Sequence, residues 1–65
     1  MQEGMQYQQQ EKVLVTAQEV AALLGISVSM AYKVIRGYNT ELAKMGKLTI
    51  RGKINRKYLL KKLEV

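Results

Sequence analysis

Residues 16–35 read TAQEVAALLGISVSMAYKVI, and the punctuation of this stretch decides the fold. Thr16 and Glu19 stand at capping-box spacing. In that motif the hydroxyl accepts an N–H of the first helical turn and the carboxylate reaches back to the N–H of the cap. A first helix over Ala17–Leu24 follows, with Val20, Leu23 and Leu24 expected in the core. Gly25 comes next, where a left-handed residue ends a helix at little cost. Ser27 is the next N-cap candidate and opens a second helix at Val28. Two helices joined by a short Gly-centred turn make a helix-turn-helix candidate. Ala21 is small where the helices would cross, Ile26 is expected to plug the core, and Val34 to close the second helix onto the first. Many helical hairpins share this pattern without binding DNA.

Downstream, Val28, Ala31, Val34, Ile35, Tyr38, Leu42 and Met45 keep to one side of the second helix at spacings that suit a 3.6-residue period. Gly46 terminates it. Gly37 costs about 1 kcal/mol relative to Ala, and Asn39-Thr40 weakens the same region. The stripe passes through in phase, which favours one helix with Gly37 as the place for any bend.

The period then switches to two. Leu48 and Ile50 alternate with Thr49 and Arg51, Gly52 supplies a turn, and Ile54 can pair back in a short hairpin with a basic tip. Such a hairpin must lean on the helices, because a lone one is barely stable. Asn55 caps a last helix from Arg56 to about Leu63, expected to bury Leu59, Leu60 and Leu63. Upstream, Val13-Leu14-Val15 reads as an extended apolar segment entering the core. Residues 1–11, MQEGMQYQQQE, are glutamine-rich without apolar periodicity and read as a disordered tail. The fold class expected is mainly α with a small β-hairpin.

Composition narrows the function. The chain has 65 residues and no Cys, His, Pro, Trp or Phe. One small core is the upper limit at this length. Thiol and imidazole chemistry, disulfides and soft-metal sites are excluded by residue type, and neither a metal nor a cofactor is expected. The five acids are all Glu, which leaves no paired catalytic constellation, so no enzyme is expected. The longest apolar run, Val20–Leu24, is far shorter than a membrane span, and the N-terminus does not resemble a secretory signal. A cytoplasmic location is expected.

The net charge of +6 is unevenly placed. Residues 1–32 hold Lys12 against Glu3, Glu11 and Glu19, a net −2, whereas residues 33–65 hold ten cations against Glu41 and Glu64, a net +8. A half-chain this basic points to a polyanion, although solubility alone can account for such a charge. On the second helix, Ser29, Tyr32, Lys33 and Arg36 stand at i, i+3, i+4 and i+7 in a row without an acid. Arg36 and Lys33 suit phosphates or guanine edges, Ser29 suits either, and Tyr32 suits a sugar or thymine methyl. Lys47, Arg51 and Lys53 bracket Gly52 at the hairpin tip, a slender basic loop of the kind that enters a minor groove. The same cations also protect a strand edge from aggregation. Arg56 and Lys57 occupy the first turn of the last helix, where the macrodipole disfavours cations, which marks them as candidate phosphate contacts. Lys61 and Lys62 suit the dipole of the last turn and need no function.

The order helix, Gly turn, helix, basic hairpin, helix resembles a winged helix-turn-helix of the MerR-like and excisionase type. The segments TAQEVAALLGISVSMAYKVI and GKLTIRGKINRKYLLKKL carry the resemblance. It is nearest to the small excisionase-like DNA-binding proteins of bacterial phages and integrative elements. It implies three helices plus a two-stranded wing, with residues 12–65 as the DNA-binding domain. By position, Ser27, Ser29, Tyr32, Lys33 and Arg36 would face the major groove, with Arg51 and Lys53 on the wing. The implied function is sequence-preferring binding and bending of double-stranded DNA near a recombination site, with a tyrosine recombinase as a further partner. Arg36 is the only arginine on the groove helix, so backbone contacts should outweigh base readout. The long MerR dimerisation helix is absent, and a monomer that binds DNA side by side is expected.

A small transcriptional repressor of the same fold is one alternative. A protein-interaction module docking an acidic partner is another. RNA binding is less favoured, because Tyr7, Tyr32, Tyr38 and Tyr58 do not line up as a stacking platform.

Overall fold

The computed structural model describes residues 13–64. The expected disordered tail, residues 1–11, lies outside the described residues. Along the chain come β1 (Leu14–Thr16), α1 (Ala17–Leu24), α2 (Val28–Lys44), β2 (Lys53–Asn55) and α3 (Arg56–Leu63). Among the described residues the architecture is mainly α, three helices with one two-stranded antiparallel sheet.

Each strand runs directly into a helix, because its last residue is also the helix cap. Thr16 ends β1 and caps α1: its Oγ1 accepts the Glu19 N–H at 3.2 Å, and Glu19 accepts the Thr16 N–H at 2.8 Å. Asn55 ends β2 and caps α3, accepting the Tyr58 N–H at 2.9 Å. The sheet pairs Leu14 with Asn55, Val15 with Ile54 and Thr16 with Lys53. The Arg56 N–H extends the ladder by donating to the Val13 carbonyl at 2.7 Å.

This pairing corrects the hairpin expected from the sequence. Ile54 pairs with Val15 rather than folding back on Leu48 and Ile50, and the wing keeps a single bridge, Ile50 to Lys53. Burial explains the choice. Ile54 is fully buried between β1 and the helices, with Val15 packed against the same core, whereas Leu48 on the wing is 88% exposed. What remains of the wing is a tight turn, Ile50 to Lys53, with positive φ only at its third residue, Gly52, the type II pattern.

Between α1 and α2 the chain turns by 107°, within the range of helix-turn-helix pairs. Gly25 makes the turn at φ 71°, and the N–H groups of Gly25 and Ile26 both donate to the Ala21 carbonyl. Ala21 and Ala31 are buried, and their small side chains let the two helices approach closely. Ser27 caps α2 by accepting the Met30 N–H at 3.1 Å. As expected, α2 is one helix through Gly37. It ends in a Schellman motif, with Gly46 donating to the Ala43 carbonyl and Lys47 to that of Leu42.

The core consists of Ala17, Val20 and Ala21 of α1, Ala31, Ile35 and Leu42 of α2, Ile54 of β2 and Leu59 of α3. Several expected core residues lie elsewhere. Leu23 is 58% exposed; at 3.6 residues per turn it projects roughly 100° away from the Ala17–Val20–Ala21–Leu24 face. Leu60, Val28 and Met45 are also exposed. Ile35 rather than Val34 closes α2 onto the core, Val34 being half-buried. No single helix among the described residues is long and apolar enough to cross a membrane.

Gly37 faces open space, with nothing within 4 Å of the position a Cβ would take and no positive φ to forbid one. Gly37→Ala should therefore stabilise the protein by about 1 kcal/mol. Thermal unfolding followed by circular dichroism should show Tm rising by roughly 4–8 °C.

Candidate nucleic-acid interface

Between α2 and the Ile50–Lys53 turn lies a groove of about 630 Å³. Tyr32, Ile35, Arg36, Asn39, Thr40 and Ala43 form the helix wall, and Thr49, Arg51 and Gly52 the loop wall. The structure thus brings together Tyr32, Arg36, Arg51 and Gly52, which the sequence placed on two separate elements. Ser29 and Lys33 are exposed on α2 at the spacing of the same row but do not line the groove. The Ser27 hydroxyl serves the helix cap.

No acid lines this groove among the described residues, and two guanidinium groups do. The one acid of α2, Glu41, is engaged with α3 instead. Its Oε1 accepts the Tyr58 hydroxyl at 2.5 Å and lies 3.3 Å from Lys62 Nζ. Tyr58 in turn meets Tyr38 edge to face at 5.8 Å between ring centroids. Lys62, for which the sequence suggested no function beyond suiting the helix dipole, is therefore part of a contact joining α2 to α3. The Tyr58 hydroxyl and then Lys62 hold the Glu41 carboxyl below its ordinary value of 4.5. The same carboxylate raises the pKa of both Tyr58 and Lys62.

Two residues build the groove. Asn39 donates from Nδ2 to the Lys53 carbonyl at 2.9 Å and to the Ile50 carbonyl at 3.3 Å, so one side chain on α2 holds both ends of the turn. Sequence reading missed this role and saw only a weak helix former. The available signal was a weak helix former, Asn39, in the middle of an amphipathic helix, whose amide can bond groups outside the helix. Gly52 is required by its backbone, at φ +79°, and the Tyr32 ring packs beside it at ordinary contact distance, 3.4 Å from where a Cβ would be. Thr40 Oγ1 donates to the Arg36 carbonyl at 3.0 Å, within the helix.

The remaining candidates lie outside the groove. Lys47 and Lys53 are exposed on the wing segment. Arg56 lines a separate, largely apolar groove of about 250 Å³ with Val15, Glu19, Val20, Leu23, Leu59 and Leu60. Its backbone N–H is tied to the carbonyl of Val13, just before β1. Lys57 is exposed on α3.

An acid-free groove flanked by two arginines suits a phosphate-bearing ligand. With 17 residues, α2 is about 25 Å long, enough to follow a major groove. No known protein family, curated protein or solved structure matches this chain.

Asn39→Ala should cost about 1–2 kcal/mol, the worth of two exchanged hydrogen bonds. It should also speed hydrogen exchange at the Lys53 amide, which bonds to Ile50 across the turn. A thermal melt and an amide-exchange measurement check the two effects separately.

The Glu41 contact also carries a pH signature. A carboxyl lowered in the folded state contributes stability above its unfolded pKa, and that contribution is lost as pH falls through the folded value. Tm should therefore fall as the solution is acidified below the ordinary Glu value of 4.5. Glu41→Gln should flatten that part of the Tm profile relative to the parent protein.

Proposed function

We propose that this chain is a non-enzymatic protein that binds double-stranded DNA, with α2 in the major groove and the Ile50–Lys53 turn on the adjoining minor groove. One observation carries the reading. A 107° helix pair presents a long helix whose basic row, Arg36 included, joins the Arg51 turn around an acid-free groove. In helix-turn-helix proteins the second helix is the one that reads bases. Arg36 and Arg51 neutralise phosphates or meet guanine edges, Lys33 and Ser29 extend the contact along α2, and Tyr32 packs against sugar or a thymine methyl. Lys47 and Lys53 add phosphate contacts at the wing.

Within that class we favour an excisionase-like role, in which a small cytoplasmic monomer binds side by side, bends DNA near a recombination site and assists a tyrosine recombinase. The basic Ile50–Lys53 turn, followed by α3, supports it over a bare helix-turn-helix, although the turn is shorter than the wing the sequence led one to expect. A repressor with the same fold would share every contact and differ in where its sites lie.

Salt titration of duplex binding tests the proposal. A protein neutralising about six phosphates loses on the order of 10³-fold in affinity between about 50 and 200 mM salt. The double change Lys33→Glu, Arg36→Glu should abolish binding while leaving helical content intact, because both side chains are exposed. Salt-insensitive binding, or none in the parent protein, would overturn the reading in favour of an acidic protein partner.

A further inference from the structure

We propose that Leu48 is an apolar wedge which the wing presses into the minor groove against a base step. The inference rests on the DNA-binding reading above and adds a residue which that reading does not use.

Leu48 is the most exposed large apolar side chain among the described residues, at 88%. Single exposed leucines are common on protein surfaces, but this one is displayed from a fixed position. On its N-terminal side, the Lys47 N–H donates to the Leu42 carbonyl at 3.0 Å, as part of the motif that ends α2. On its C-terminal side, Ile50 is held twice: its carbonyl accepts from Asn39 Nδ2 at 3.3 Å and from the Lys53 N–H at 3.0 Å. The backbone around Leu48 is therefore anchored on both sides, and its side chain is left in water. Its neighbour Thr49 turns into the groove; Leu48 does not.

Charge selects the occupant. From Leu42 to Leu63 the chain has eight cations and no acid; Lys47 immediately precedes Leu48, and Arg51 and Lys53 follow within five residues. An apolar protein surface would have to desolvate these cations without compensation, whereas a duplex places phosphates on both sides of a narrow groove with apolar sugar faces and base steps between them. Minor-groove proteins use Leu, Ile, Met and Phe in this way, flanked by basic residues, to unstack a step and kink the helix.

The test uses A·T-rich duplexes of about 30 base pairs, with 2-aminopurine beside TA steps, which unstack most easily. Dye pairs at the duplex ends report bending. The parent protein should brighten the 2-aminopurine and bring the ends closer. Leu48→Ala should keep the same circular dichroism spectrum and Tm. It should lose most of both signals and bind about tenfold more weakly at every salt concentration. The slope of log affinity against log salt should not change, since a leucine releases no counterions. Leu48→Met, similar in volume and still apolar, should restore most of the signal. Arg51→Ala, by contrast, should reduce the slope by about one.

Three results would overturn the wedge: salt-sensitive binding by the parent protein without a 2-aminopurine signal, a Leu48→Ala variant with unchanged bending and affinity, or a free-protein mass that changes on Leu48→Ala. The last would make the leucine a protein–protein contact. Absence of salt-sensitive binding by the parent protein is a different result, one that removes the DNA-binding reading itself.

Discussion

The pairing of Val15 with Ile54 closes this chain on itself, and the other elements take their places from it. Ile54 is fully buried, and the strand opposite it lies far upstream in sequence, so one short ladder ties the helix-turn-helix to the C-terminal third of the protein. Because Thr16 and Asn55 end their strands and cap the following helices, the ladder also sets the starting points of α1 and α3. A core of eight buried residues among those described has little cohesion to spare. Three rungs of sheet and two shared caps supply order that hydrophobic area alone would not.

Drawing Ile54 away from the wing also makes the groove. Had Leu48 and Ile50 paired with β2 as a regular hairpin, the loop would form a longer arm. Instead it shrinks to a four-residue turn, held to α2 by the Asn39 amide. This brings Arg51 and Gly52 to the same groove as Arg36 and Tyr32. On another face of α2, Glu41 is drawn to Tyr58 and Lys62, so the helix keeps its one acid out of that groove. The groove's positive character thus follows from where Glu41 points as much as from where the arginines stand.

Local chemistry was legible in the sequence. The Thr16–Glu19 box, the Ser27 and Asn55 caps and the Gly25 turn each depend on residues within one helical turn, and the helix starts and the α1–α2 turn follow from them. The acid-free row on α2 was legible for the same reason, because helical spacing fixes its face. Features that depend on distant partners were not. Whether Ile54 pairs with Ile50 or Val15 turns on which strand helps to bury it. Leu23 and Leu60 look like core residues until the small core of this fold is seen to be filled without them. Asn39 has no helical reason to be where it is, and only the turn packed beside it supplies one.

The most direct test of the central claim, that the groove between α2 and the turn receives duplex DNA, is to recover and sequence the host DNA fragments that the purified protein retains at about 0.15 M salt, where weak surface contacts are screened. Duplex binding in this groove by an excisionase-like protein should yield discrete fragments, clustered beside the recombination ends of a mobile element and released by further salt. Retention of no DNA, or of DNA that salt does not release, would contradict it.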